Sequence, residues 1–173
     1  AAFLNGTADT FLELDEGNQF SRGHPGIHAL PAVLALAEQR GSTGRDFLTA
    51  LIIGYEIGAR VGIASKILPS MHPHGTWGTV GSAVAVAKLI GAPAEKVREI
   101  INVASTLGLA TSRQTMLQGG TVRNSFAGIS GQMGILAWHM VESGFTGETD
   151  GLSTVWSSVS SSEWLPEEMT NDL

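Results

Sequence analysis

Three glycines spaced four residues apart constrain the fold of this chain more than any other feature of its sequence. Gly54, Gly58 and Gly62 recur within the apolar stretch 43–66, whose length and pattern predict a long helix. At this spacing the glycines share one helix face, where a second backbone can approach closely. Each glycine costs about 1 kcal/mol of helix propensity, so tight packing against a neighbouring helix has to compensate.

The remaining pattern predicts helices and no strand. We predict about six helices, at 1–14, 27–40, 43–66, 76–91, 94–110 and 126–144, separated by polar loops with Gly or Pro. Thr43 and Asp46 resemble a capping box, and the segment after Gly144 resembles a loop. With 22 glycines and many alanines, the helices must pack closely. The predicted fold class is all-α, a close-packed helical bundle or array rich in Gly and Ala, formed by 1–173 as a single helical domain.

Composition excludes several classes of function. The net charge of −6 and the pI near 5.3 argue against nucleic acid or an anionic membrane as partner, because both need a basic surface. The absence of cysteine excludes disulfides and thiolate nucleophiles, and it fits a cytoplasmic protein. No apolar run matches the length of a membrane span. The missing initial Met and the acidic end after Pro166 suggest a piece of a longer protein, truncated at both ends.

Three polar loops interrupt the apolar helices and carry the side chains that could do chemistry. Loops held on a rigid helical scaffold are common places for active sites. The candidate residues are, in chain order, Asp15, Glu16, Asn18, Arg22, His24 and His28; then His72, His74 and Thr76; then Gly119, Gly120, Arg123 and Asn124.

Acid–base chemistry is the sharper interpretation of these loops. Histidine, with a reference pKa of about 6.5, suits proton transfer at neutral pH. The planar guanidinium of Arg123 suits a carboxylate or phosphate. Thr76 could cap the following helix, whose free N–H groups would favour an anion. The set predicts proton abstraction beside a carboxylate, with a histidine as base and Arg123 as the carboxylate clamp.

Metal binding is a second interpretation of the same loops. His24 and His28 are four residues apart and could share one face of a helix. Pro25 and Gly26 between them make a regular helical turn doubtful. Further loop side chains could complete a site: His72, His74, and Asp15 or Glu16.

Each candidate also has an ordinary structural role. His72 and His74 could satisfy backbone carbonyls between helices, and His28 could be a surface or packing residue. His139 lies in an apolar helix and is expected in the core or an interface. Three others could be no more than caps, turn formers or a solvated charge: Asp15, Asn18 and Arg123.

Five segments, in their order and spacing, resemble the MmgE/PrpD family, which includes 2-methylcitrate dehydratase-like enzymes. They are AAFLNGTADTFLELDEGN, GHPGIHALPAVLALAE, GYEIGARVG, MHPHGTWGTVGSAVAVAKLIG and GFTGETDG. The resemblance covers essentially the whole chain. It implies an all-α domain followed by a smaller C-terminal α/β lid domain, which this chain would lack. It also implies a homodimer, and catalysis with no metal or other cofactor.

The resemblance also implies catalytic roles for three residues. Asp15 is the best counterpart of the family's active-site aspartate, and His24 matches its loop histidine. His72 matches the histidine before proline in the second loop, which is the principal acid–base residue.

We predict substrate binding for a second set of residues, three of which depart from the family pattern. Asn18 stands where a threonine is frequent, and His74 where Thr or Pro is commoner. Arg123 replaces a usual lysine; it keeps the carboxylate clamp but is a poor proton donor, because arginine stays charged. Thr76 completes the set at the start of the next helix.

The leading hypothesis is a fragment of a lyase or isomerase that performs acid–base chemistry beside a carboxylate of a small di- or tricarboxylate. We expect activity at full length and none for this fragment alone. The expected partners are a small polycarboxylate and a second copy of the chain, with no nucleic acid and no membrane. A metal-binding helical module and an inactive dimerisation scaffold are the alternatives. Dehydration, decarboxylation and epimerisation all remain compatible with the sequence.

Overall fold

A computed structural model of the chain describes residues 1–171 and is predominantly helical, as predicted. Two short strands, β1 (Ser65–Ile67) and β2 (Ser161–Trp164), pair antiparallel, and two 3₁₀ turns cover Thr121–Ser125 and Pro166–Met169. The α-helices of this part are α1 (Ala2–Phe11), α2 (Pro25–Arg40), α3 (Gly44–Ala64), α4 (Gly78–Leu89), α5 (Ala94–Thr106), α6 (Arg113–Leu117), α7 (Phe126–Glu142) and α8 (Gly151–Ser158).

The centre of the fold is α4. Every residue of this helix from Gly78 to Ala87 is buried, and its small side chains contribute to all four apolar clusters of the core. Helices α2, α3, α5 and α7 surround it. A helix that is apolar on all sides is typical of such an enclosed position.

The predicted close contact between α3 and a second helix is confirmed. A Cβ added at Gly54 would lie 2.5 Å from Ala85 Cβ and 2.7 Å from the Gly81 carbonyl oxygen. A Cβ at Gly81 would in turn lie 2.9 Å from Gly58 Cα. The two backbones therefore touch where side chains are missing. Gly62, the third member of the strip, faces the α1–α2 loop at Ser21 instead.

Thr43 caps the start of α3, as predicted, but the described hydrogen bonds do not include the reciprocal one of a capping box, from the Thr43 N–H to the Asp46 side chain. The Thr43 hydroxyl accepts from the Asp46 N–H at 3.1 Å and donates to the Asp46 carboxylate at 2.7 Å. Helix α2 begins with Pro25, a position where proline is tolerated, and ends at Arg40. The next residue, Gly41, has a left-handed φ of 63°.

Strand, loop and burial predictions failed at several places. The segment after Gly144 contains α8 and β2, although its serines and threonines favour neither element. Trp156, 1% exposed within the core, supplies the apolar contact that holds α8 in place. The predicted loop at 116–124 includes the end of α6 and most of a 3₁₀ turn. His139, expected in the core or an interface, is exposed and stacks on Trp138. It lies outside the core, and a place in an interface stays a prediction.

Helix α3 also departs from the expectation about membrane spans. By length and composition it is apolar enough to cross a membrane. Core helices of globular proteins pass the same test, and α3 packs against α2 and α4 along its glycine face.

Candidate active site

Four histidines, two from the start of α2 and two from the loop before α4, meet beside the N-terminus of α2. His24, His28 and His72 surround His74, with ring centroids 4.7, 5.6 and 4.8 Å from its own. We call these four residues the histidine cluster. The predicted convergence of the first two polar loops is therefore present in the structure.

Asp15 brings a carboxylate to the histidine cluster. Its Oδ2 lies 3.5 Å from His74 Nε2 and 3.7 Å from His24 Nδ1. The Asp15 side chain is only 7% exposed. A carboxylate placed this way can orient an imidazole and stabilise its protonated form. All three residues that the resemblance implies as catalytic thus lie in or against one cluster.

Glu16 fixes the loop that carries Asp15. Its carboxylate accepts from the N–H groups of Gly26 at 2.8 Å and Ile27 at 3.1 Å, so it occupies the free N-terminus of α2. Burial raises the pKa of Glu16, and the two backbone hydrogen bonds oppose that shift. His24 Nδ1 contacts the Glu16 carbonyl oxygen. The two acidic neighbours therefore differ: Glu16 anchors the helix and Asp15 faces the histidines.

His28 has a structural role. Its Nδ1 bonds to the His24 carbonyl at 2.7 Å, and its Nε2 accepts from the Gly75 N–H at 3.1 Å. A backbone N–H can only donate, so the proton of the ring resides on Nδ1. Complete burial lowers the pKa of His28 to about 4, which keeps it neutral. His28 joins the two polar loops from a fully buried position, so of the two roles expected from the sequence, surface or packing, the structure shows packing.

His72 keeps one ring nitrogen available. Its Nδ1 accepts from the His74 N–H at 3.1 Å, so the neutral ring carries its proton on Nε2. Among the residues described, none forms a hydrogen bond with Nε2. Burial, followed by the charge of Arg123, lowers the pKa of His72 to about 4. The side chain is thus a neutral imidazole with one proton on its uncommitted nitrogen.

His74 is fully buried, and neither ring nitrogen has a hydrogen-bond partner within residues 1–171. Burial and the neighbouring histidines lower its pKa well below the usual range. A buried polar group without a partner costs about 1–3 kcal/mol. The fold tolerates this cost at the centre of the cluster, which is typical of a functional position.

Arg123 approaches the cluster from the third loop. Its Nη1 donates to Asn124 Oδ1 at 3.1 Å and lies 4.0 Å from Glu13 Oε1. The side chain is 18% exposed and its buried Nε has no partner in the described part of the chain. Arg123 is therefore not a freely solvated surface charge, which was one of its possible roles from the sequence. Its charge acts on His72.

Asn18 and Thr76 are engaged in local structure. Asn18 Oδ1 accepts from two backbone N–H groups of its own loop, and its Nδ2 donates to Tyr55. Thr76 Oγ1 donates to the Pro73 carbonyl at 2.5 Å. Trp77, not Thr76, precedes the first residue of α4, so the predicted Thr76 cap is wrong. Their roles as substrate ligands stay predictions.

Sequence reasoning missed Lys66 and Arg113, two cations that lie near His72. A cavity of about 410 Å³ is lined by His72 together with Arg22, Lys66 and Arg113. Arg113 reaches this place because the backbone of 70–72 pairs with that of 111–113. No local pattern links the two segments, so only the tertiary structure shows the neighbourhood.

Residues 1–160 match the MmgE/PrpD N-terminal domain. The chain belongs to the MmgE/PrpD family. The match confirms the resemblance that five sequence segments carried, and it agrees with the all-α fold.

Curated relatives of the chain include cis-aconitate decarboxylases, which are lyases. A cis-aconitate decarboxylase-like protein, oryM, of Aspergillus oryzae is 30% identical over 79% of this chain and 31% of its own length. Cis-aconitate decarboxylase of Homo sapiens is 34% identical over 60% of this chain and 23% of its own. The enzyme of Aspergillus terreus is 29% identical over 84% and 31%. The chain spans about a third or less of these relatives.

Proposed function

We propose that the protein containing this chain is a lyase that transfers a proton at a carbon beside a carboxylate of a small di- or tricarboxylate. The observation that carries this proposal is His72: neutral, buried, and with one uncommitted nitrogen beside the Asp15–His24–His74 group. Decarboxylation, as in the named relatives, is the leading reaction. Dehydration of a 2-methylcitrate-like acid and epimerisation use a related proton transfer and remain the competing reactions.

The tautomer of His72 determines the direction of transfer in the resting state. With Nδ1 accepting from the His74 N–H, Nε2 carries the proton and is set to donate it. When the bond to a departing carboxyl group breaks, carbon dioxide leaves, the electron pair stays on the substrate carbon, and that carbon takes the proton from Nε2. The imidazolate left on His72 lies within reach of the positive charges of Arg123 and Arg113, and it regains a proton from solvent. For His72 to act as a base instead, its proton has to move to Nδ1 and break the hydrogen bond to His74.

Charge around His72 supports an anionic substrate. Arg123 carries a positive charge that no proton transfer removes, and its charge acts on His72. Electron density that develops on the substrate during the reaction is stabilised by such a fixed charge in a partly buried site. Arg123 thus serves as carboxylate ligand and Asp15, with His24, as the group that orients the imidazoles.

We propose that the active protein is longer than this chain, because the relatives exceed it about threefold in length. A homodimer in the cytoplasm, with an additional domain closing over the site, is part of the same proposal. The 173-residue chain alone is then inactive.

Incubation of the natural-length protein with cis-aconitate, 2-methylcitrate and an aspartate-derived dicarboxylate, followed by NMR, tests the reaction. Loss of carbon dioxide from a tricarboxylate supports the leading proposal. Loss of water, or inversion at an unchanged carbon skeleton, identifies a competing reaction. No change in any acid of this class contradicts the proposed function.

A second candidate function, metal binding, is favoured by one specific observation. Asp15, His24 and His74 each offer a ligand atom, and these atoms all lie within 4.8 Å of one another. Two imidazoles and one carboxylate suit Zn²⁺ or Fe²⁺. Ligands of a tetrahedral ion lie about 3.3 Å apart, for bonds of about 2.0 Å, so the ligand group needs a small contraction.

Titration with Co²⁺ tests this candidate through the visible absorption of the bound ion. A stoichiometric band that Asp15→Asn and His24→Ala abolish, while the exposed control His139→Ala retains it, supports metal binding. An unchanged spectrum on titration excludes it. The two candidates are separable, because His72 is not a member of the ligand group.

A further inference from the structure

The cavity beside His72 has a consistent charge. Of the ten lysines and arginines in a chain of net charge −6, Arg22, Lys66 and Arg113 line this one cavity. Among its lining residues within the described chain, none is acidic. Cations concentrated in a cleft raise the local concentration of anionic ligands. We call these three residues the cationic triad.

The members of the cationic triad are not committed to ion pairs. Acidic side chains pair instead with Arg60, Lys96, Arg98 and, at 4.0 Å, Arg123. The described ion pairs include no member of the triad. Arg22 donates one hydrogen bond, from Nη2 to the Ser65 carbonyl at 3.2 Å, which fixes its guanidinium at the wall of the cavity. The backbone of Arg22 has a φ of 56°, a conformation that few residues other than glycine adopt.

The cavity also suits the carbon skeleton of a small acid. Trp77, Met71 and Met116 supply apolar surface on the same lining. Its volume of about 410 Å³ falls within the range of small-molecule sites, roughly 300–1,000 Å³. A few cations within mostly apolar walls are the arrangement that recognises a small polyanion.

His72 connects this cavity to the chemistry. It lines the cavity, and the charge of Arg113, like that of Arg123, contributes to lowering the pKa of His72. Arg123 borders a different depression, with Glu13 and Asn124. His72 therefore borders the cavity of the cationic triad, and the charge of Arg123 also acts on it.

We propose that the cationic triad binds the carboxylates of the substrate that do not react, so that the site selects tricarboxylates over dicarboxylates. This inference rests on the proposed function and deepens it. It assigns carboxylate recognition to Arg22, Lys66 and Arg113 in addition to Arg123. Charge-assisted hydrogen bonds to guanidinium groups provide the affinity.

Binding of two matched acids to the natural-length protein tests the inference. Tricarballylate and glutarate share a five-carbon chain and differ in the central carboxylate. We expect calorimetry to show tighter binding of tricarballylate, and Arg113→Gln to weaken it about 10–100-fold, in line with a lost charged hydrogen bond. Adding Lys66→Gln to Arg113→Gln should weaken the binding of tricarballylate further. Arg45→Gln, an equal charge change at the exposed start of α3, is the control.

Three results would overturn the inference: no binding of tricarballylate, equal affinity for both acids, or equal weakening by Arg45→Gln and Arg113→Gln. The measurement needs no turnover, so it separates this inference from the proposed function. If His72→Ala keeps tricarballylate affinity and reaction of the natural substrate continues, the carboxylate site stands and the role of His72 falls.

Discussion

The segment 71–91 contributes residues to two neighbouring buried regions, and these regions differ in how they are built. At the α3–α4 contact, glycines let two backbones touch and no polar side chain intervenes. A few residues earlier, the histidine cluster places four imidazoles together and leaves both ring nitrogens of His74 without a partner within the described chain. Close packing gives the first region rigidity, while the second retains polar groups available for chemistry.

The difference separates residues that support the site from residues that act in it. Gly54 and Gly81 allow the two helices to pack closely because they have no side chain, so any larger residue there should lower stability. His72 acts through one nitrogen, so its removal should harm the reaction more than the fold. Variants in the two regions should therefore affect different measurements.

The largest effect is expected for His72→Ala in the natural-length protein. General acid–base catalysis contributes about 10²–10⁴-fold to rate, and turnover should fall by that factor. Circular dichroism should show a folded protein, because the helices do not depend on this side chain. Near-normal turnover would remove His72 from the proposed mechanism.

Acid should destabilise the histidine cluster next most strongly. The pKa of His28 is about 4 in the folded protein, against an ordinary value of 6.5, so between these values the unfolded chain binds a proton that the folded chain does not. Stability is complete above pH 6.5 and is lost as the pH falls towards 4, by on the order of 3 kcal/mol for this residue.

Urea denaturation at several pH values measures this loss. His28→Gln should flatten the dependence of the unfolding free energy on pH in that window, and His139→Gln controls for the loss of any histidine. An identical pH dependence in His28→Gln and the unsubstituted protein would contradict the assignment.

A smaller loss is expected at the dry contact. In Gly81→Ala the new Cβ would lie 2.8 Å from the Gly54 carbonyl oxygen, and the two helices have to separate. Overpacking of this kind costs about 1–3 kcal/mol. Gly44→Ala, where no atom lies within 4 Å of the added Cβ, should change stability little. Equal unfolding free energies for both variants would show that α3 and α4 are not in tight contact.

The smallest effect is expected for His74→Leu. No described hydrogen bond ends on the His74 ring, so an apolar replacement of similar size strands no hydrogen-bonding group and removes only the contact of the Asp15 carboxylate at 3.5 Å. The net loss of stability should be small. His28→Leu strands the His24 carbonyl and the Gly75 N–H and should cost about 1–3 kcal/mol per group. Equal losses in denaturation would mean that His74 has a structural partner.

Helical periodicity, glycine spacing and capping residues were sufficient to predict the all-α fold, because these patterns are local. The glycine face of α3, with Gly54 and Gly58, and the Thr43 cap are examples. Helix α8 and the strand pair were missed, since Ser-rich segments have weak propensity and Trp156 stabilises them through tertiary packing. The catalytic roles of Asp15, His24 and His72 were predicted from a family resemblance. Lys66 and Arg113 were not predicted, because only the tertiary structure brings them to the cavity, Arg113 through backbone pairing between distant segments.

The central claim is that His72 delivers a proton to a carbon beside a carboxylate. NMR of the product formed in deuterated water measures this step directly in the natural-length protein. We predict one deuterium at that carbon for the unsubstituted protein, and incorporation about 10²–10⁴-fold slower for His72→Ala. Deuterium incorporation at the same rate in His72→Ala, or a product without deuterium at that carbon, would contradict the claim.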